Sequence, residues 1–201
     1  MLKIVKSPKA SPATLPAAGC PPKGFRGKLS QQNIFFMTEN LAILNNRYRF
    51  PSSVSLCLGM DKNLTAKANI TINATPAQVW DAVTNPDKIK EYFFGTTTTS
   101  SWEEGSPINF KGQYEGTEYE DKGTILKAEP NKVFQYSYWS SMGGTEDTPD
   151  NYAIITYTIT PEGDATRLDV LQEGANSEDA RDHSVTLWCG VLKGIKELLE
   201  R

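Results

Sequence analysis

Hydrophobic positions along this chain change their period several times, and each change marks an element. Ala66, Ala68, Ile70 and Ile72 alternate with Lys67, Asn69, Thr71 and Asn73, the period of a half-buried strand. At Thr75-Pro-Ala-Gln78 the period lengthens. Thr75 can accept a backbone hydrogen bond as N-cap, Pro76 fits the first helical position, and Gln78 completes a capping box. Val79, Trp80 and Val83 then supply an apolar stripe. Asn85-Pro86-Asp87 stops this helix, because a residue before proline is driven out of the helical region; Pro86 can open a second short helix carrying Ile89, Tyr92 and Phe93.

Beyond Gly95 the alternation returns. Ile108, Phe110 and Tyr114 share one face of a strand that follows the turn Glu104-Gly-Ser-Pro107. Gly123 to Ala128 forms another strand, ended by Glu129-Pro-Asn-Lys132, and Val133 to Trp139 sets Phe134, Tyr136 and Tyr138 on one side. Ser141 to Asp150 reads as a polar loop. Ala153, Ile155, Tyr157 and Ile159 alternate again, Pro161-Glu-Gly-Asp164 turns, and Leu168 and Val170 lie on the last strand. From about Ser177 a long helix repeats Val185, Trp188, Leu192, Ile195 and Leu199 on one face, with Leu187, Val191 and Leu198 widening it enough to cover a sheet. This order predicts an α+β domain: a curved antiparallel sheet of about six or seven strands around a long C-terminal helix, with two short helices after the first strand.

Charge divides the chain in two. Residues 1–59 carry eight Lys/Arg and one acid, Glu39, whereas from Met60 onward 13 basic residues face 23 acidic ones. The first part is also interrupted by Pro8, Pro12, Pro16, Pro21 and Pro22, and its apolar residues show no sustained period, so it does not bury enough surface to offset the entropy of ordering. We therefore expect residues 1–59 to be a basic extension without a fold of its own, or sequence upstream of a natural start at Met60, with Met37 between them. The folded domain is expected over 60–201. An acid-free, Ser-containing start also has the look of an organelle transit peptide. A lipoprotein signal at Gly19-Cys20 fails, because Ser-Pro-Ala-Thr-Leu-Pro precedes Ala17-Ala18 where an apolar region is required.

Composition removes several classes of function. The acidic part has no basic stripe for nucleic acid, and no stretch of about 18 apolar residues spans a membrane. Three cysteines make no disulfide framework, so Cys189 reads as a small apolar side chain in a reducing compartment, the cytoplasm. There is no P-loop, no dinucleotide-binding glycine pattern and no Cys/His cluster; with His183 the single histidine, neither metal nor cofactor is expected. Glu115, Glu118, Glu120 and Asp121 read as a solvated hairpin loop, and Asp169 or Glu173 would be a polar handle only if turned inward. The most usable chemistry is aromatic: Phe110, Tyr114, Phe134, Tyr136, Tyr138, Tyr157 and Trp188 either fill a core or line a pocket, where a buried tyrosine hydroxyl needs a partner. Gly190 and Gly194 in the last helix suit a place where the sheet or a ligand comes close.

Several of these stretches together resemble one family. They are Ala74-Thr-Pro-Ala-Gln-Val-Trp-Asp-Ala-Val-Thr-Asn-Pro86, Trp102 with Gly105-Ser-Pro-Ile-Asn-Phe110, Gly123-Thr-Ile125 with Pro130, and Trp188. Residues 64–200 are similar to the SRPBCC (START-like) superfamily, and within it to homologues of the C-terminal domain of the activator of heat shock protein 90 ATPase. That resemblance implies the helix-grip fold. It also implies a cavity between the long helix and the concave sheet that holds an apolar or aromatic small molecule. On our reading of the residues the seven aromatics named above line it, as a continuous space of roughly a few hundred Å³, and a tightly filled interior would remove that function. Two other functions stand beside this one: a cyclase- or hydrolase-like enzyme using the same cavity, and a chaperone-associated interaction module. The protein partners considered are a chaperone or a second copy of the chain.

Overall fold

In the computed structural model, which describes residues 64–114 and 116–201, the first alternating segment forms strand β1 (Leu64–Ile72). The expected extension over 1–59 and the boundary at Met60 lie outside the described residues. Helix α1 (Pro76–Thr84) begins with the anticipated capping box: the Gln78 N–H donates to Thr75 Oγ1 at 3.3 Å and the Thr75 N–H donates to Gln78 Oε1 at 2.9 Å. Asn85 alone joins α1 to α2 (Pro86–Tyr92). Its N–H donates to the Asp81 carbonyl at 2.9 Å, and its Oδ1 accepts from the Asp87 N–H at 3.0 Å. One residue thus ends one helix and caps the next.

The remaining strands are β2 (Thr97–Ser100), β3 (Pro107–Tyr114), β4 (Thr117–Glu129), β5 (Val133–Tyr138), β6 (Ala153–Glu162) and β7 (Ala165–Ala175). They form one curved antiparallel sheet in the order β1-β7-β6-β5-β4-β3-β2. Strands β2 to β7 are a simple meander, and β1 pairs with β7, so β1 and β2 are the two edges. The link between them, residues 73–96, therefore has to cross the sheet, and α1 and α2 are that crossing. Helix α3 (Glu178–Leu199), capped by Ser177, packs into the same concave face, which is the helix-grip arrangement. Ile72, Val79, Phe134, Leu168 and Leu192 join the strands, the crossing and α3 in a single core.

Three polar ties hold these layers in register. Thr166, fully buried at the start of β7, donates through Oγ1 to the Ala74 carbonyl at 2.7 Å and anchors the start of the crossing. At the end of α3, Lys196 Nζ donates to the Thr71 carbonyl at 2.6 Å, while Glu200 Oε1 accepts from the Asn73 N–H at 2.7 Å and pairs with Lys196 at 3.0 Å. Gly194 accounts for a close approach of a different kind from the one expected: a Cβ there would stand 3.1 Å from Tyr92 Cβ, so α3 is pressed by α2.

The acidic hairpin is a correction. Strand β4 begins at Thr117, so Glu118 and Glu120 are exposed on one face while Tyr119 and Asp121 are buried on the other. Strand alternation decides the placement of those charges, and a run of acids conceals that Asp121 alone of Glu118, Glu120 and Asp121 is turned from solvent. Residues 97–100, four polar residues in sequence, still form β2 by pairing with β3 from Lys111 to Ile108.

The Glu200 clasp makes stability depend on pH in a defined direction. The Asn73 N–H and then Lys196 hold its carboxyl below the ordinary 4.5. A depressed folded-state value means the contribution is present above the unfolded value and lost as pH falls through the folded one. Glu200→Gln is expected to lower Tm near neutral pH, with the gap to wild type closing below about pH 4.5. Thermal melts across that range read it, and a gap that persists in acid would contradict the clasp.

Candidate functional site

The crossing segment does not close completely on the sheet. Between α2 and the strands lies a partly open cavity of about 20 Å³, room for roughly one water. This corrects the expected cavity in size and in place: it is far smaller than a few hundred Å³, and no side chain of α3 lines it, because α3 packs directly into the core. Val83, Ile89, Tyr92 and Phe93 of the crossing form one wall, Trp102 of the β2–β3 connection forms the rim, and Ile108, Phe110, Phe134, Tyr136 and Tyr157 form the sheet wall. Seven of these ten side chains are aromatic.

Strand register produces the sheet wall. Phe134 on β5 lies opposite Tyr157 on β6, and Tyr136 follows two residues along on the same face. Their rings stand 5.4 Å (Phe134–Tyr136) and 6.4 Å (Phe134–Tyr157 and Tyr136–Tyr157) apart. Phe110 meets Tyr136 at 5.8 Å, and Trp102 meets Phe134 at 5.8 Å. The Tyr136 and Tyr157 hydroxyls are within hydrogen-bonding reach of each other. Burial pushes Tyr92, Tyr136 and Tyr157 far above the ordinary phenol value, so all three stay protonated and act as donors. No carboxylate, imidazole or ammonium lines the cavity among the described residues.

The backbone is unusual at the rim. Trp102 has φ +63° and Phe94, beside Phe93, has φ +55°, followed by Gly95 at +81°. Left-handed conformations are costly for large side chains and persist only where the surroundings enforce them. At Trp102 the enforcement is visible: its N–H donates to Ser100 Oγ at 3.1 Å, and the connection is tied to β4 by Gly105 N–H to the Ile125 carbonyl and Ile125 N–H to the Ser106 carbonyl.

Of the seven aromatics proposed from sequence, Phe110, Phe134, Tyr136 and Tyr157 meet at the cavity. Tyr114 lies on β3, and its side chain is outside those described. Tyr138 packs on Phe110 at 5.9 Å but spends its hydroxyl on Asp121 Oδ2 at 2.6 Å. Trp188 meets Tyr157 edge-on at 5.8 Å and donates from Nε1 to Gln172 Oε1 at 2.7 Å, backing the sheet wall without lining the cavity. Asp121 also accepts at Oδ1 from the Ser141 N–H and Ser140 Oγ, both at 2.9 Å. Both its oxygens are occupied, so it ties the 139–152 connection to β4. Asp169 pairs with Arg167, Glu173 is exposed, and His183, lowered by burial, does not line the cavity. Tyr92, Phe93 and Trp102 are the site residues that sequence reasoning missed; an aromatic pair ending a helix and a Trp before a Gly-Ser-Pro turn were the available signals.

Among the described residues no His/Cys/Asp/Glu group is placed to hold a metal ion, and no helix is long and apolar enough to cross a membrane. The family described as activator of Hsp90 ATPase homolog 1-like protein matches over residues 73–200. None of the curated proteins compared matches the chain. Among solved structures, ChR145 from Cytophaga hutchinsonii is 42% identical with a TM-score of 0.62, covering 68% of this chain and 94% of its own. MLL2253 from Mesorhizobium loti shares the fold at 22% identity and TM-score 0.57, covering 69% of this chain and 98% of its own. The Aha1 dimer from Colwellia psychrerythraea does so at 21% and 0.53, covering 68% and 96%.

Two expectations follow from the buried polar groups. Unfolded tyrosines ionise near 10.0, whereas the buried ones hold their protons, so stability is full below that pH and falls as pH rises through it. Denaturant titrations should show the loss setting in above about pH 10, and Tyr136→Phe should make it shallower. Asp121→Ala leaves the Tyr138 hydroxyl and the Ser141 N–H without their acceptor. It is expected to cost about 2–4 kcal/mol by chemical denaturation, and a change below about 0.5 kcal/mol would contradict its role as a tie.

Proposed function

The chain belongs to the activator of Hsp90 ATPase homolog 1-like family, and on that footing we propose that it binds an apolar or aromatic small molecule between α2 and the sheet. The supporting observation is a partly open aromatic cavity whose polar groups are neutral phenols. Planar apolar surface is attracted to the rings. The paired Tyr136 and Tyr157 hydroxyls have one donor left over, to which a carbonyl or ether oxygen offers an acceptor, and a charged group meets no counter-ion and bears the cost of desolvation. The enzyme alternative needs a group that exchanges protons near neutral pH, whereas these phenols are driven the other way and suit binding better. For assembly, a second copy of this chain is the partner favoured by the dimer described for the Colwellia protein. Light scattering on the full chain reads that directly.

NMR titration of the full chain with acetophenone, 2-acetonaphthone and benzoate tests the pocket. The two neutral ketones are expected to shift the amides of Phe110, Tyr136 and Tyr157, and benzoate to leave them in place. Tyr136→Phe, which removes one donor, should weaken the ketones by about fivefold while retaining the fold. Shifts confined to another surface, or equal shifts with benzoate, would sink the assignment.

A further inference from the structure

The cavity is smaller than any ring it is suited to receive, so one wall has to move. The sheet wall is fixed by paired strands, and Trp102 is tied to β4 through its connection. Helix α2 is attached quite differently. It begins at the single-residue junction Asn85 and ends at the left-handed pair Phe94-Gly95. It packs on β2, its ion pairs are Asp81–Lys88 at 2.6 Å and Glu91–Arg201 at 2.9 Å, and its Tyr92 is seated against Gly194. Both members of the Glu91–Arg201 pair are largely exposed, and such pairs hold little against thermal motion. Ile89, Tyr92 and Phe93 on this helix are the cavity wall.

We propose that α2 is the movable wall of the pocket, pivoting between Asn85 and Gly95, and that its seat on Gly194 sets the size of molecule admitted. This deepens the small-molecule reading and rests on it. Without a Cβ at residue 194, Tyr92 sits flush on α3 and the pocket closes to its resting volume. With one, 3.1 Å from Tyr92 Cβ, the neighbour has to give by a few tenths of an ångström, and that neighbour belongs to α2. Outward movement turns Phe93 and Tyr92 off the rings of the sheet wall and leaves the Tyr136 and Tyr157 hydroxyls facing the opened space.

Hydrogen exchange and binding kinetics test the two halves separately. In the full chain without any added molecule, the Phe93 and Gly95 amides, which donate to the Ile89 and Lys90 carbonyls of α2, are expected to exchange at least about tenfold faster than those of Leu192 and Ile195 in α3. Gly194→Ala should speed the α2 amides severalfold while leaving α3 unchanged or slower. Exchange of α2 in step with α3, or an α2 indifferent to Gly194→Ala, would overturn the proposal. With 2-acetonaphthone, stopped-flow tryptophan fluorescence should give an association rate that levels off at the α2 opening rate and rises in Gly194→Ala. A rate that grows linearly to the highest concentration in both proteins would also overturn it. Absence of any binding alongside fast α2 exchange would count against the pocket reading and for the moving helix.

Discussion

The placement of the first two strands at opposite edges of one sheet is the constraint on which this structure turns. A meander from β2 to β7 needs no help to pair, but β1 closes against β7, and the chain must then travel the whole width of the sheet to start β2. The concave face is the place where that crossing can bury its apolar stripe, and α3 already occupies part of it. The residues that make the crossing feasible are modest: a capped turn at Thr75, a one-residue joint at Asn85, and the buried Thr166 holding the Ala74 carbonyl. What the crossing and α3 leave uncovered, over the middle strands, is the cavity.

Its chemistry follows from where it falls on the sheet. Middle strands present alternate side chains inward, and here three of those side chains are Phe134, Tyr136 and Tyr157, close enough to pack ring on ring. Rings so placed shed water readily, and the same dryness makes phenolate formation costly. The hydroxyls therefore persist as neutral donors in an apolar setting, where a hydrogen bond is worth more than in water and an unmet donor is worth less than nothing. Tyr138, one alternation further along β5, shows the contrast. Its hydroxyl already donates to Asp121, so its ring belongs to the wall while its polar end belongs to the scaffold.

Elements were far more legible in the sequence than faces. Period, caps and turn residues located β1, both short helices and α3: the Thr75 box and the Asn85-Pro86 break are read within four residues, and α3 is read from its repeating apolar face. The inward strand aromatics were legible for the same reason. Tyr92, Phe93 and Trp102 were not, since whether a helix stripe meets core or void depends on a partner far along the chain. Asp121 shows the opposite failure. Its neighbours Glu118 and Glu120 are solvated, and only pairing with β3 and β5 reveals that it faces inward to Tyr138 and Ser140. Trp188 was read with the other aromatics as filling a core or lining a pocket; it packs on Tyr157 with its indole N–H given to Gln172, and it does not line the cavity.

Gly194 ties stability to access. A glycine inside a long helix weakens it by about 1 kcal/mol relative to alanine, and α3 is the element that the whole sheet grips. Nothing about α3 itself asks for a glycine there; the reason lies across the contact, where Tyr92 presses on the bare backbone. An alanine would strengthen α3 and at the same time lift α2 from it. The chain thus accepts a weaker central helix in exchange for a close-fitting short one. For a cavity lined by rings the seat of this helix matters, because a gap of about 0.5–1 Å already forfeits a quarter to a half of the packing attraction between its wall and the sheet.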